Sequence, residues 1–259
     1  MLNITNLSKK VKGIIVFYPQ MCFNKVEVII LDKAYILLNF DYGIKDDDNR
    51  FELVFGEYKF KATAVAYPSE YMRDKLFEAG WDICTYNNVP DETPAHSELE
   101  DMSEESLKKW DNYVRSAKER QEKLGIHNPT LWACRQNRWG SALEYAVRKN
   151  GYKIARGGGN DEEEYPFITD FKKGDIRTSP FEIFSHNIDE VKKKIDYAIE
   201  KKYALNIFTH LLVDTIEQDG GYDCLISTYR EMLDYLKDKV DKGLCEVVTY
   251  KEFYEICCK

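Results

Sequence analysis

Residues 34–68 read AYILLNF-DYG-IKDDDNRFELVFGEYKF-KATAVAYP, and this stretch decides the fold. Its first seven residues, Ala34–Phe40, are apolar, branched or aromatic, which is typical of a strand buried on both faces. Gly43 permits a tight turn, residues 51–58 form an amphipathic pattern, and residues 61–67 are apolar enough for a second strand. This order predicts a parallel strand–helix–strand unit. Such units keep their functional residues at the carboxyl ends of strands, where Asp41 lies.

The same stretch carries a family resemblance. The sequence Asn-Phe-Asp-Tyr-Gly at 39–43, followed by a helix and by Lys-Ala-Thr at 61–63, resembles the first motif of the polysaccharide deacetylases, Thr-Phe-Asp-Asp-Gly. Further matches extend the resemblance to residue 256. It implies an α/β fold, an irregular (β/α) barrel, here over residues 34–259. Residues 1–33 contain two apolar runs, which predict a short N-terminal β extension.

Composition narrows the class of protein. The chain has 259 residues, 44% of them hydrophobic, which suits one barrel with a sizeable core and excludes general disorder. The formal net charge of −8 argues against a nucleic-acid-binding protein, because no basic stretch could follow a phosphate backbone. No apolar stretch approaches the ~20 residues of a membrane span. We therefore expect no membrane or nucleic-acid partner and no signal peptide, and a cytoplasmic or phage-associated protein.

Cysteine usage agrees with a reducing compartment. The seven cysteines are odd in number and scattered along the chain, and the adjacent pair at 257–258 lacks the spacing of a metal-binding C-x-x-C motif. We therefore expect reduced thiols.

Three candidate catalytic residues follow predicted strands in the order that the deacetylase motifs have. Asp41 is the predicted general base. The stretch Arg135 to Gly140 is similar to the family's Arg-Pro-Pro-x-Gly motif, which implies that Arg135 orients Asp41. His210 follows the predicted strand at 204–208 and resembles the histidine of the Leu-x-His motif, which protonates the leaving group. An ordinary ion pair remains an alternative role for Arg135.

The metal-ligand motif departs from the family's pattern. The second Asp of the first motif, normally a ligand, is Tyr42, and a direct alignment places Tyr86 at a position where the family has a histidine. A second alignment, with an insertion, places Glu92 and His96 at the two histidine positions. A hydrolytic Zn²⁺ site needs about three protein ligands and an open position for water. The resemblance thus implies a divalent metal such as zinc, with Glu92 and His96 as predicted ligands. A metal-free site, with His96 as a loop histidine, is the alternative.

Aromatic residues near these motifs are candidates for carbohydrate binding, because aromatic faces pack on pyranose rings. We assign Tyr42, Tyr86 and Trp139 to the substrate site, with a core position as the alternative for Trp139. The expected partner is a carbohydrate substrate. The sequence predicts a long irregular surface segment over 160–180, and the family's motif that supports the acid histidine is not evident there.

Two functional hypotheses remain. In the first, the protein is a hydrolase of amide or ester bonds in an acetylated glycan, with Asp41 as base and His210 as acid. In the second, the barrel has lost its chemistry and serves as a glycan-binding or structural module, for example in a phage tail. The fold does not decide between them, because function depends on the site.

Overall fold

A computed structural model describes residues 31–41, 49–65, 69–84, 95–127, 130–134, 138–157, 167–168, 177–178, 180–216 and 223–257. The β extension predicted for residues 1–33 lies almost wholly outside these ranges and stays a prediction.

The strands are short and most of them are parallel to their neighbours. In chain order they are β1 (Ala34–Phe40), β2 (Thr63–Val65), β3 (Asp82–Cys84), β4 (Leu131–Ala133), β5 (Ile154–Arg156), β6 (Phe167–Ile168), β7 (Arg177–Thr178), β8 (Phe181–Glu182), β9 (Ala204–Thr209), β10 (Leu211–Val213), β11 (Asp223–Leu225) and β12 (Cys245–Val247).

The helices alternate with these strands, as expected for an α/β protein. They are α1 (Asn49–Phe51), which continues as a π-helix (Glu52–Glu57), α2 (Glu70–Glu78), α3 (His96–Glu100), α4 (Glu104–Lys123), α5 (Ser141–Lys149), α6 (Ile188–Lys201), α7 (Ile226–Asp241) and α8 (Tyr250–Cys257). In the described part of the chain, no helix is long and apolar enough to cross a bilayer.

Strand β1 is the centre of the largest sheet. One edge of β1 pairs with β9 along nearly the whole strand, from Tyr35 opposite Ala204 to Phe40 opposite Thr209. Its other edge pairs with β12 at the start and with β2 at the end. Strands β3 and β8 extend this sheet on either side, while β4, β5 and β7 form a second sheet. The first strand of the predicted barrel therefore lies beside a late one, as it must when a sheet curls back on itself.

Side chains alternate between a shared interior and the surrounding helices. Tyr35 and Leu37 of β1 belong to a cluster with interior residues of β2 to β5 and β9. Ile36, Leu38 and Phe40 belong instead to a core built with α2, α6 and α7. This alternation explains why the β1 sequence is apolar at every position. The α/β class predicted from the sequence is confirmed, and the strands curve around a common interior as in an irregular barrel.

Local capping fixes the starts of two helices. Ser69 and Ser103 cap α2 and α4, since their hydroxyls accept hydrogen bonds from Met72 N (3.1 Å) and Ser106 N (3.2 Å). The prediction of an irregular segment over 160–180 was wrong in part. Strands β6 and β7 lie within it, and each has two residues, too few to produce an alternating pattern.

Candidate active site

Asp41 lies where β1 ends, on the interior face that Tyr35, Leu37 and Asn39 also occupy. Its amide donates to the Thr209 carbonyl (3.0 Å), so the end of β1 is fixed against the end of β9. The residue is 4% exposed. A carboxylate so deeply buried needs a charged or hydrogen-bonding partner.

Arg156, the last residue of β5, is that partner. Its two terminal nitrogens donate to the two carboxylate oxygens of Asp41, at 2.5 Å to Oδ1 and 2.6 Å to Oδ2. Burial alone would lower the pKa of Arg156, but the charge and hydrogen bonds of Asp41 raise it above its ordinary value. Such a bidentate pair fixes the plane of the carboxylate as well as its position. The contact also crosses the interior from β5 to β1, which requires the strands to curve around it.

His210 follows β9 and points toward the same place. Its Nδ1 lies 2.6 Å from Glu182 Oε1, at the end of β8, and its Nε2 lies 3.9 Å from Asp41 Oδ2. A carboxylate can only accept, so Nδ1 carries a proton and Nε2 is the ring nitrogen on the Asp41 side. The 3.9 Å separation is too long for a direct hydrogen bond. Asp41 and His210 thus stand side by side as separate groups.

Arg50 of α1 connects the backbones beneath these two side chains. One of its terminal nitrogens donates to the carbonyl oxygens of both Asp41 (3.0 Å) and His210 (2.5 Å). The residue is 1% exposed, and its guanidinium lies over the Phe40 ring, 5.6 Å from the ring centre. Two arginines therefore hold the site, one through the Asp41 side chain and one through main-chain oxygens.

Trp139 lies in a core rather than on an open surface. It is 7% exposed, packs with α4 and α5 residues such as Trp110 and Leu143, and donates from Nε1 to Glu144 (3.2 Å). This environment is that of the alternative foreseen for Trp139, a core side chain. Its predicted contact with a sugar stays a prediction.

The other predicted site residues lie outside the described residues. These are Tyr42, Tyr86, Glu92 and Arg135. His96 begins α3, but its side chain is also outside what the structure describes. Their predicted roles therefore stay predictions, including the contact between Arg135 and Asp41.

The described donors do not by themselves fit a metal ion. Within the ranges given above, no group of three or more His, Cys, Asp or Glu side chains is arranged to hold one. Both oxygens of Asp41 accept from Arg156, and Nδ1 of His210 faces Glu182. We therefore derive no chemical step through a metal.

Sequence reasoning missed Arg156, Glu182 and Arg50. Arg156 had a signal, because it ends the short stretch Tyr-Lys-Ile-Ala-Arg at 152–156, which follows a glycine and has the pattern of a strand. Glu182 ends a two-residue strand, and Arg50 follows a turn by a few residues, so neither had a pattern that points to the site.

No protein-family model matches the sequence, and no curated protein does either. Solved structures do. A family 4 acetyl xylan esterase from Clostridium thermocellum, in complex with a cobalt ion, is 14% identical with a TM-score of 0.48, and the match covers 86% of this chain and 91% of that one. A peptidoglycan deacetylase from Bacillus subtilis is 14% identical with a TM-score of 0.45, covering 88% and 93% of the two chains.

A CE4 family pseudoenzyme from Bacillus anthracis matches as well, at 9% identity and a TM-score of 0.45, covering 87% of this chain and 66% of that one. These structures are of the family that the sequence motifs resemble, and they include both enzymes and a pseudoenzyme. Because every TM-score is below 0.5, we draw no functional conclusion from them. The geometry of the site has to carry the functional argument.

Proposed function

We propose that this protein is a hydrolase of amide or ester bonds in an acetylated carbohydrate, with Asp41 as general base and His210 as general acid. The observation that carries the proposal is their arrangement. A carboxylate oxygen and an imidazole nitrogen lie 3.9 Å apart at neighbouring strand ends, and each group is fixed by a separate partner. Burying a carboxylate beside an imidazole costs desolvation free energy, and such groups cluster at functional sites.

The chemistry follows from the positions of the lone pairs. A carboxylate has about four acceptor sites, so Asp41 can accept from Arg156 with both oxygens and still accept from a water molecule. Asp41 takes a proton from that water molecule while the water oxygen attacks the carbonyl carbon of the acetyl group. His210, as imidazolium, donates from Nδ1 to Glu182 and gives its Nε2 proton to the departing nitrogen or oxygen. The carbon–nitrogen or carbon–oxygen bond then breaks, and acetic acid leaves with an amine or alcohol and ionises to acetate in solution. Asp41 then loses its proton to solvent, and His210 regains one.

Release of acetate tests this proposal. Purified protein would be incubated with acetylated xylo-oligosaccharides and with N-acetylglucosamine oligomers, with and without added Zn²⁺. We expect acetate from at least one substrate. We expect kcat to fall about 100-fold or more in Asp41→Asn and in His210→Gln, the range for loss of a general base or acid. The control is His127→Gln, an exposed histidine at the amino end of the barrel, which should behave as the unaltered protein.

The non-catalytic alternative also has an observation in its favour. Both oxygens of Asp41 already accept from Arg156. Such an ion pair can serve only to stabilise the fold, without any role for Asp41 as a base. In that case no substrate is hydrolysed, while oligosaccharide binding measured by calorimetry is unchanged in Asp41→Asn. Absence of acetate release from every substrate, or equal kcat in Asp41→Asn and the unaltered protein, would reject the hydrolase.

The predicted metal ligands form a separate proposal. If Glu92 and His96 hold a divalent ion near Asp41, the ion would supply Lewis-acid polarisation of the carbonyl group. Elemental analysis after dialysis should then find near-stoichiometric metal that is lost in His96→Ala. Equal metal content in the two proteins would reject these ligands and leave the acid–base pair untouched.

A further inference from the structure

Arg50 occupies an unusual position relative to the acid–base pair. It belongs to α1, outside the barrel interior, and it touches main-chain oxygens of Asp41 and His210. These are the two residues that the proposed function depends on. A single nitrogen atom makes both contacts, so the two carbonyl oxygens are held close to one shared donor.

These contacts begin where the sheet stops. The β1–β9 register ends with Phe40 opposite Thr209, and one further bond runs from Asp41 N to Thr209 O. Beyond that bond, Arg50 joins the carbonyl oxygens of Asp41 and His210. Arg50 extends the connection between the two strands by one residue on each side, at the residues whose side chains form the site.

The guanidinium itself is held in place. It lies over Phe40, and the Phe40 ring in turn packs against Trp81 (5.7 Å between ring centres) and Tyr229 (5.7 Å). The planar group is therefore fixed from below by aromatic packing while it donates to two oxygens above. A carbonyl oxygen marks the orientation of its peptide plane, so holding it restricts the backbone from which the neighbouring side chain leaves.

We propose that Arg50 is a positioning residue that sets the spacing between Asp41 and His210 by binding both of their carbonyl oxygens. This inference rests on the proposed function for its catalytic consequence. Arg50 touches no reacting atom, and it acts through the two strand ends. Its absence should leave the groups present but misaligned, and displacements of about 1 Å can cost on the order of 100-fold in rate.

The test uses Arg50→Lys, which keeps the charge but replaces the planar donor by a single ammonium on a different stem. We expect kcat for acetate release to fall about 10- to 100-fold with little change in KM, because alignment is lost and substrate contacts are kept. The matched control is Arg73→Lys. Arg73 also donates to a main-chain oxygen, that of Leu124 (2.9 Å), which lies at the end of α4 and not at a residue of the acid–base pair. Arg73→Lys should therefore change neither constant.

A second readout does not need activity. The imidazole of His210 is titrated by NMR in the unaltered protein, in Arg50→Lys and in Arg73→Lys. Because Arg50→Lys conserves charge, a shifted midpoint would report altered distances from His210 to Asp41 and Glu182. We expect a shift in Arg50→Lys and none in Arg73→Lys. If Arg50→Lys does not fold, Arg50→Gln takes its place in the kinetic measurement, with Arg73→Gln as its control, because loss of the charge would by itself move the His210 midpoint.

The outcomes separate the two proposals. If the unaltered protein releases no acetate but Arg50→Lys shifts the His210 midpoint, the hydrolase is rejected and the positioning role stands. If both arginine variants lose activity in proportion to their loss of thermal stability, with the His210 midpoint unmoved, Arg50 is structural only. A folded Arg50→Lys protein with unaltered kcat and midpoint also overturns the inference.

Discussion

Two aspartates face the barrel interior from opposite ends of their strands, and their hydrogen-bond partners differ. Asp41 follows β1, and both of its oxygens accept from Arg156. Asp82 opens β3 on the interior face it shares with Cys84, and its Oδ1 accepts from the Ile83 amide (3.0 Å). Its Oδ2 is buried without a hydrogen-bond partner among the described residues. Burial raises the pKa of Asp82 to about 6.

The two ends of the barrel accommodate a buried carboxylate in different ways. At the carboxyl end, the Arg156 guanidinium donates to both oxygens of Asp41, so the negative charge is compensated in place. At the amino end, Asp82 lines a cavity of about 350 Å³ that also contains Lys61 and Glu252, and its proton affinity rises instead. The two buried carboxylates are therefore accommodated in different ways, Asp41 by a bidentate ion pair with Arg156 and Asp82 by a raised pKa.

The largest expected effect comes from removing the partner of Asp41. Arg156→Met would leave a carboxylate buried and uncompensated, and breaking such a pair costs about 3–5 kcal/mol of unfolding free energy. Urea unfolding at neutral pH measures this cost. The pair Asp41→Leu with Arg156→Met should recover most of the loss, because no buried charge remains. A loss below about 1 kcal/mol in Arg156→Met would show that Asp41 is not held as the structure places it.

The second effect has the opposite sign and depends on pH. Between the ordinary pKa of 3.8 and about 6, the folded protein binds more protons at Asp82 than the unfolded chain does. Stability contributed by this residue is therefore present at low pH and falls as pH rises through that window. Asp82→Asn removes the charge, so it should stabilise the protein by about 1–3 kcal/mol above pH 7 and by nothing near pH 3.5.

Urea unfolding of both proteins from pH 3.5 to 8 checks this prediction. The control is Asp74→Asn, an exposed carboxylate of α2 paired with Arg73, which should show no such gain at high pH. A stability difference between Asp82→Asn and the unaltered protein that is constant over the whole range would contradict the raised pKa. The contrast between the two aspartates would then disappear.

Much of the fold could be predicted because its signals are local. The two-faced burial of β1 makes Ala34–Phe40 apolar at every position, and capping serines mark the starts of α2 and α4. The same local signals predict that Asp41 and His210 follow strands, at a known edge of the barrel, while the motif resemblance implied their roles as base and acid.

The partners of these residues could not be predicted in the same way. Arg156 is 115 positions from Asp41, and nothing in the periodicity of either strand joins them. Glu182 is 28 positions from His210, at the end of a strand of two residues. Contacts of this kind depend on how the strands close around the interior. The sequence predicts the longer strands but not the residues that meet across the barrel interior.

The smallest expected effect concerns a second ion pair, at the amino end of the barrel. Lys61 contacts Glu252, but the two side chains are 41% and 33% exposed, against 2% and 5% for Arg156 and Asp41. Glu252 Oε2 also accepts from the Thr249 amide (3.0 Å) and completes the N-cap of α8, so the informative change is at Lys61.

Lys61→Met should cost less than about 1 kcal/mol of unfolding free energy, because exposed pairs exchange one hydrated arrangement for another. The cost should shrink further in 1 M salt, where the screening length is about 3 Å, while the cost of Arg156→Met should hardly change, because that pair is sealed from solvent. Urea unfolding of both variants at low and high salt compares the two pairs directly. A Lys61→Met cost as large and as salt-insensitive as that of Arg156→Met would mean that burial does not distinguish them. The Arg156–Asp41 pair would then not differ in kind from an exposed ion pair of this protein.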